Sequence, residues 1–215
     1  MKEIPILFST PMVQAILEGR KTMTRRIINP QPDDSGLWND DLYPCSLDSD
    51  LKGWNGTVDE TGESKEFNCR YGKPGDVLWV RETFGIYLGA FLFRAGYNGI
   101  FKGIKWKPSI HMPKDYARIW LQVEEIRVER LEQISSNDAR AEGIKFSMSP
   151  IGFCGWDYQT GGYNVMTTPV TSFMTLWRSV HGIERYEKTG NPWVWVIKFK
   201  VLSTTGKPEI VNRKL

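Results

Sequence analysis

Ala117-Arg118-Ile119-Trp120-Leu121-Gln122-Val123-Glu124-Glu125-Ile126-Arg127-Val128-Glu129-Arg130-Leu131 alternates apolar and polar residues with one break, at Glu124-Glu125. Such alternation predicts a long antiparallel strand with one apolar face. The break adds one residue, so Ile126 and Val128 stay on that face only if the strand carries a bulge or bend there. Barrel walls use such kinks, and the stretch therefore points to a curved sheet.

C-terminal to it, Ser135-Ser136-Asn137-Asp138-Ala139-Arg140-Ala141-Glu142-Gly143 carries its own start and stop. Ser135 and Asp138 fit a capping box, and Gly143 closes a short helix. Glu142 is then the last helical residue, beside an already negative helix end, at a cost of about 0.3–1 kcal/mol. The carboxylate is expected to meet a cation elsewhere. Residues 145–170 read as an irregular insertion rich in glycine and aromatics. Pro169 and Thr171 or Ser172 start a third helix, with Phe173, Leu176, Trp177 and Val180 on one face. Trp193 to Val201 is the strongest strand pattern, and 203–215 is a polar tail, expected to fray.

On the N-terminal side, residues 85–113 interleave aromatics with Lys102, Lys105 and Lys107. That mixture suits single-stranded nucleic acid, although most aromatics in short strands are simply core. Pro74-Gly75 predicts a tight turn into the apolar run Val77-Leu78-Trp79-Val80, which ends at Arg81-Glu82. These last two residues are either an exposed ion pair or the rim of a pocket. Residues 33–70 form an acidic insertion, with a small hairpin expected around Asn55-Gly56. At the N-terminus, Ile4 to Phe8 reads as a short strand. A two-turn helix follows, with Ser9 or Thr10 as N-cap, Pro11 first and Gly19 as its left-handed stop. It delivers Gly19-Arg20-Lys21-Thr22-Met23-Thr24-Arg25-Arg26, four cations and two hydroxyls in eight residues. A basic run of this kind is a solvated face, a phosphate contact or a catalytic corner.

Composition narrows the function classes. At 215 residues and 40% hydrophobic content the chain reads as one globular domain, residues 1–215, with no apolar run long enough for a membrane span and no signal-peptide pattern. The expectation is a cytoplasmic protein. Cys45, Cys69 and Cys154 form no CxxC pair, and His111 and His181 are isolated, so neither a metal site nor a disulfide framework is expected. No cofactor motif is present. Catalysis, if any, falls to lysine, threonine and carboxylates. The net charge of +3 hides a division: ten acids against two lysines give residues 33–66 a charge of −8, leaving +11 on the rest. A basic body suits a polyanionic partner, and the acidic insertion is a lid, a competitor for the basic surface, or a soluble loop.

The order of short strands and three short helices predicts an α+β fold, a small, partly open β-barrel with short flanking helices and two long loop insertions. Gly19 to Arg25, Lys73 to Glu82, the Glu142-Gly143 helix end and Trp193 to Phe199 together resemble the ASCH-domain family, a branch of the PUA-like barrel superfamily, and its longer phage and prophage members in particular. The resemblance covers about two thirds of the chain and leaves out the two insertions. It implies recognition of RNA or of a modified nucleobase or nucleoside. Some small members are amidohydrolases that remove the acyl group from N4-acetylcytidine with a Lys, a Thr and a Glu, and others have ribonuclease-type activity. On this chain the trio falls on Lys21, Thr24 and Glu142. Arg20, Arg25, Arg26, Trp79, Arg81 and Glu82 would then line the substrate or nucleic-acid cleft.

A threonine needs a base, and a buried lysine among arginines can be one. A carboxylate beside that lysine works the other way, favouring the ammonium. The alternative is a purely structural Lys21–Glu142 salt bridge.

Overall fold

A computed structural model describes residues 1–29, 31, 54–58, 64–67, 69–100, 102–148, 154–158, 166–182 and 190–209. Most of the acidic insertion lies outside the described residues. The architecture is α+β, built on one mixed five-stranded sheet. Its strands are β1 (Glu3–Leu7), β2 (Met23–Ile27), β5 (Val77–Arg81), β8 (Trp120–Arg130) and β11 (Trp193–Ser203). They lie in the order β1-β5-β8-β11-β2. β1 runs parallel to β5 and every other pairing is antiparallel.

β8 is the central strand, and its bulge falls where the alternation breaks. Lys198 of β11 faces Glu125 while Phe199 faces Val123, so Glu124 has no partner in the ladder. The extra residue keeps Leu121, Val123, Ile126 and Val128 in one buried cluster. Facing them are Trp195, Ile197 and Phe199 of β11, Leu78 and Val80 of β5, and Ile6 of β1. α1 (Thr10–Leu17) plugs this inner face with Val13 and Ile16. Its eight residues, the Ser9 N-cap position and Gly19 at φ +72° match the expected two-turn helix.

The outer face is covered in two patches. Over β11 and β2 lie α2 (Ser136–Ala141) and α3 (Pro169–His181), burying Ala139, Phe173, Leu176 and Trp177 against Val194 and Val196. Each large apolar side chain so removed from water contributes about 1.5–3 kcal/mol. α3 starts at Pro169, with Thr168 as its N-cap and Thr171 completing the capping box. Over β5 and β8 packs the hairpin of β6 (Phe84–Tyr87) and β7 (Ala90–Phe93), where Phe84 joins Val77, Trp79 and Trp120.

Lys73-Pro74-Gly75-Asp76 is the expected turn into β5. Asp76 N donates to Lys73 O at 2.9 Å, and Gly75 takes φ +91°. The buried Asp76 carboxylate also accepts from Lys2 N at 2.7 Å, which ties the start of β1 to the turn.

Three expectations are corrected. The small antiparallel pair expected around Asn55-Gly56 does form, but those residues are not its turn: both lie inside β3 (Trp54–Val58), at a register shift against β4 (Ser64–Phe67). The 145–170 stretch is not wholly irregular, since β9 (Lys145–Met148) pairs antiparallel with β10 (Cys154–Asp157). The start of the C-terminal tail is also tied down, because Gly206 N donates to Arg118 O and Lys207 pairs with Glu3.

The sheet closes no barrel by backbone pairing among the described residues. Its edge strands still approach each other, because Arg26 Nη2 of β2 donates to Leu7 O of β1 at 2.6 Å.

The bulge makes a sharp prediction. Glu124 is exposed, so Glu124→Ala is expected to change stability by no more than about 0.5 kcal/mol. Deleting Glu124 moves every following side chain to the other face and is expected to abolish cooperative urea unfolding. A deletion variant that unfolds like the wild type would show that the bulge sets no register.

Candidate functional site

Lys21 leaves α1 through Gly19 and forms an isolated antiparallel bridge with Glu142, the C-cap residue of α2. The backbone holds this junction: Lys21 N donates to Ala15 O, and Thr22 N to Ala141 O. Gly143 permits the close approach. It takes φ +105°, and a Cβ there would stand 2.8 Å from Ala15 Cβ. Ser135 caps α2 by accepting from Asp138 N at 3.1 Å.

The side chains then meet out of water. Lys21 is 0% and Glu142 3% exposed. Lys21 Nζ donates to Glu142 Oε2 at 2.6 Å, to Met23 O at 2.8 Å and to Glu142 O at 3.0 Å, which uses all three ammonium hydrogens. Glu142 thus finds the cation that its place at a helix C-terminus called for. Burial holds the Lys21 ammonium below its ordinary pKa, against the opposing pull of Glu142, and Arg26 and Arg25 push in the same direction as burial. The Phe8 ring lies 5.6 Å from Nζ. Glu142 Oε1 is buried without a hydrogen-bond partner, 3.5 Å from Arg25 Nη1.

The alternation of β2 divides the rest of the basic run between two faces. Thr24 pairs with Ile197 and Arg26 with Trp195, both inner-face residues, so Thr24 and Arg26 look toward the inner cluster. Thr24 is buried, and no hydrogen bond joins it to Lys21 or Glu142 among the described residues. Arg26 lies over Phe8 and Tyr71, and burial lowers its pKa. Arg25 points to the outer face, where its guanidinium binds Glu129 at 2.8 Å and Asp138 at 2.7 Å. Arg127 joins the same carboxylates. Arg20 lies outermost, bonded to Glu18 and to Gly143 O.

Trp79, Arg81 and Glu82 are not part of this arrangement. Trp79 packs in the outer cluster with Phe84 and Trp120, on the opposite face of the sheet from Thr24. Arg81 lies over Trp79 and donates to Ile110 O. Glu82 is buried and grips Arg118 with both oxygens, at 2.9 and 2.8 Å. Arg118 also donates to Ala95 O and lies over Phe93, fixing the base of the β6–β7 hairpin. The sequence reading missed Arg118, Asp138 and Glu129 as partners. Arg118 opens the alternating stretch and Glu129 lies within it, which marks a face but not a contact. Asp138, in a capping position, gives no sign in sequence of the two arginines that it meets.

Glu142 also lines a pocket of about 10 Å3 with Pro11, Met12, Ala15, Gly143, Tyr158 and Leu176, room for about one water. No group of three or more His, Cys, Asp or Glu stands ready for a metal among the described residues. No helix of the described residues is long and apolar enough to cross a membrane. A comparison with protein-family models, curated proteins and solved structures finds no match to this chain.

Two predictions follow from these pairs. Glu142→Ala strands a buried ammonium and is expected to cost about 3–5 kcal/mol in urea unfolding, whereas Lys21→Met with Glu142→Leu is expected to recover most of that loss. Equal losses in the single and double variants would show that the partners do not depend on each other.

For Glu82, burial raises the carboxyl pKa against the pull of Arg118. A raised folded-state pKa gives stability that is present below the unfolded value of about 4.3 and lost as pH rises through the folded one. The stability of wild type minus that of Glu82→Gln is therefore expected to fall as pH rises above about 4.3. A flat difference would refute the shift.

Proposed function

We propose that the protein recognises a modified nucleobase or nucleoside, or RNA that carries one, at the Lys21–Glu142 pair behind the curved sheet's inner face. The pair itself carries the reading. A buried ion pair adds little over apolar residues of the same size, and buried groups with shifted titration gather at functional sites. Glu142 Oε1 is a buried acceptor with no hydrogen-bond partner, suited to an exocyclic amine. The pocket beside Glu142 offers the apolar walls of Met12, Ala15 and Leu176 to a base ring. A pocket of about 10 Å3 is too small for a base, so binding requires its walls to part.

Hydrolysis of an N4-acylcytosine is the second reading, favoured by Thr24 on the inner face and by the lowered Lys21 pKa. In that chemistry Thr24 Oγ1 attacks the acyl carbon and neutral Lys21 takes its proton. The amine leaves with a proton returned from Lys21 or Glu142, and water then releases the acyl group from Thr24. Thr24 and Lys21 share no hydrogen bond, so the first transfer needs a turn of Thr24 or a bridging water.

The test pairs calorimetric binding of cytidine and N4-acetylcytidine with absorbance-followed hydrolysis. Lys21→Met and Glu142→Gln are expected to weaken binding at least about tenfold. If the protein also hydrolyses, Thr24→Val abolishes turnover. The rate then rises with pH to an apparent pKa below the ordinary lysine value of about 10.4, with little response to salt. Neither binding nor turnover by the folded wild type would overturn both readings.

A further inference from the structure

The β6–β7 hairpin and the segment packed on it carry features that the Lys21–Glu142 site does not use. Phe84, Phe91 and Tyr116 form a parallel stack: Phe84 and Phe91 lie 4.6 Å apart at 6°, and Phe91 and Tyr116 lie 4.1 Å apart at 5°. Phe84 is in the core, while Tyr116 is 51% exposed. The stack therefore runs from the interior to the surface and stops at an aromatic ring open to solvent. Ile86, directly opposite Phe91 in the hairpin, is 53% exposed beside it.

The hairpin tip is costly twice over. Leu88 takes φ +48°, a turn position that favours Asn, Asp or Gly, and it is 91% exposed. The strain brings no burial within this chain.

The charge around the hairpin is one-sided. Arg94, Lys102, Lys105 and Lys107 are all exposed, and from residue 83 to 116 the chain has a single acid, Asp115. Glu82, next to this span, is neutralised by Arg118. Gly85 lets the lysine segment lie flat on the hairpin, since a Cβ there would stand 2.5 Å from Ile104 Cγ2. Lys107 pairs with Phe84 through the backbone and holds its ammonium 6.0 Å from the Phe84 ring.

We propose that this unit is a docking surface for single-stranded nucleic acid, with a base continuing the stack on Tyr116, phosphates on the four cations, and Leu88 giving the apolar contact at the tip. Sequence-independent strand binding uses this combination of an aromatic platform and basic side chains. The proposal shares with the reading above only the assumption of a nucleic-acid ligand, and it concerns another face of the sheet.

The experiment is fluorescence anisotropy of a labelled twelve-nucleotide oligouridine with the full chain. Variants are Tyr116→Ala, Tyr116→Trp, Lys105→Glu with Lys107→Glu, Leu88→Asn and Lys21→Met, with melting temperatures as fold controls. Tyr116→Ala is expected to weaken binding roughly 5- to 150-fold and Tyr116→Trp to restore it. The double lysine variant is expected to lower the salt slope by about 1.4. Leu88→Asn is expected to weaken binding while raising the melting temperature. Loss of binding in Lys21→Met alone would move the strand to the other site and overturn the proposal. So would a wild type that binds no oligonucleotide, or one that binds only vesicles of anionic lipid. Nucleoside binding at Lys21 is read in a separate titration, so either reading can fail alone.

Discussion

The Lys21–Glu142 contact is the joint on which the N-terminal half of the molecule turns. Three elements meet there: the end of α1, the start of β2 and the end of α2. Removing both charges from water costs several kcal/mol per ion, and this is offset only where geometry is tight and the remaining donors are filled. Here the ammonium has three acceptors within 3.0 Å, two of them backbone carbonyls that only this chain path supplies. Any drift of α2 away from α1 would strand the charge. The pair therefore narrows the allowed arrangements of these elements, as buried polar groups do when they fix a register, and the missing Cβ of Gly143 leaves the two helices room to close on it.

The sheet's curvature depends on a second local feature, the unpaired Glu124. A straight β8 would present Leu121 and Val123 to one side and Ile126 and Val128 to the other, splitting the inner cluster. With the bulge, one strand lines the concave core along most of its length and frees Arg127 and Glu129 to meet Arg25 and Asp138 outside. The curvature also brings β1 and β2 close enough for Arg26 to reach Leu7 O. A guanidinium thus crosses a gap that no backbone ladder closes among the described residues.

These features differ in how far the sequence declares them. The bulge is legible because face alternation is arithmetic, and one extra residue between two in-phase runs has one geometric solution. The cation awaiting Glu142 is legible from helix electrostatics, and the Pro74-Gly75 turn from backbone chemistry. The parallel pairing of β1 with β5 is not, because it joins residues 74 positions apart, Glu3 to Val77 for example, in segments whose patterns fit many neighbours. Glu82 and Arg118 are unreadable as a pair for the same reason: charge pattern gives sign and spacing but not burial. The β9–β10 hairpin escaped because its glycines and aromatics lack a clear period two.

The largest gap between sequence and structure concerns which cations are free. By density of charge, Arg20 to Arg26 is the obvious polyanion-binding run, yet folding takes most of it inside. Arg25 goes to the carboxylates of Glu129, Asp138 and Glu142, Lys21 to Glu142, and Arg26 lies over Phe8 and Tyr71. A guanidinium already bound by carboxylates offers little to a phosphate, since its charge is already compensated. The sparser cations of residues 94–107 have no acids near them in sequence and stay exposed. Long-range attraction follows the cations left unneutralised at the surface, not local charge density along the chain. The inner basic run and the outer lysines therefore answer different physical demands, one the precise geometry of a closed polar joint, the other an open field that a strand can slide across.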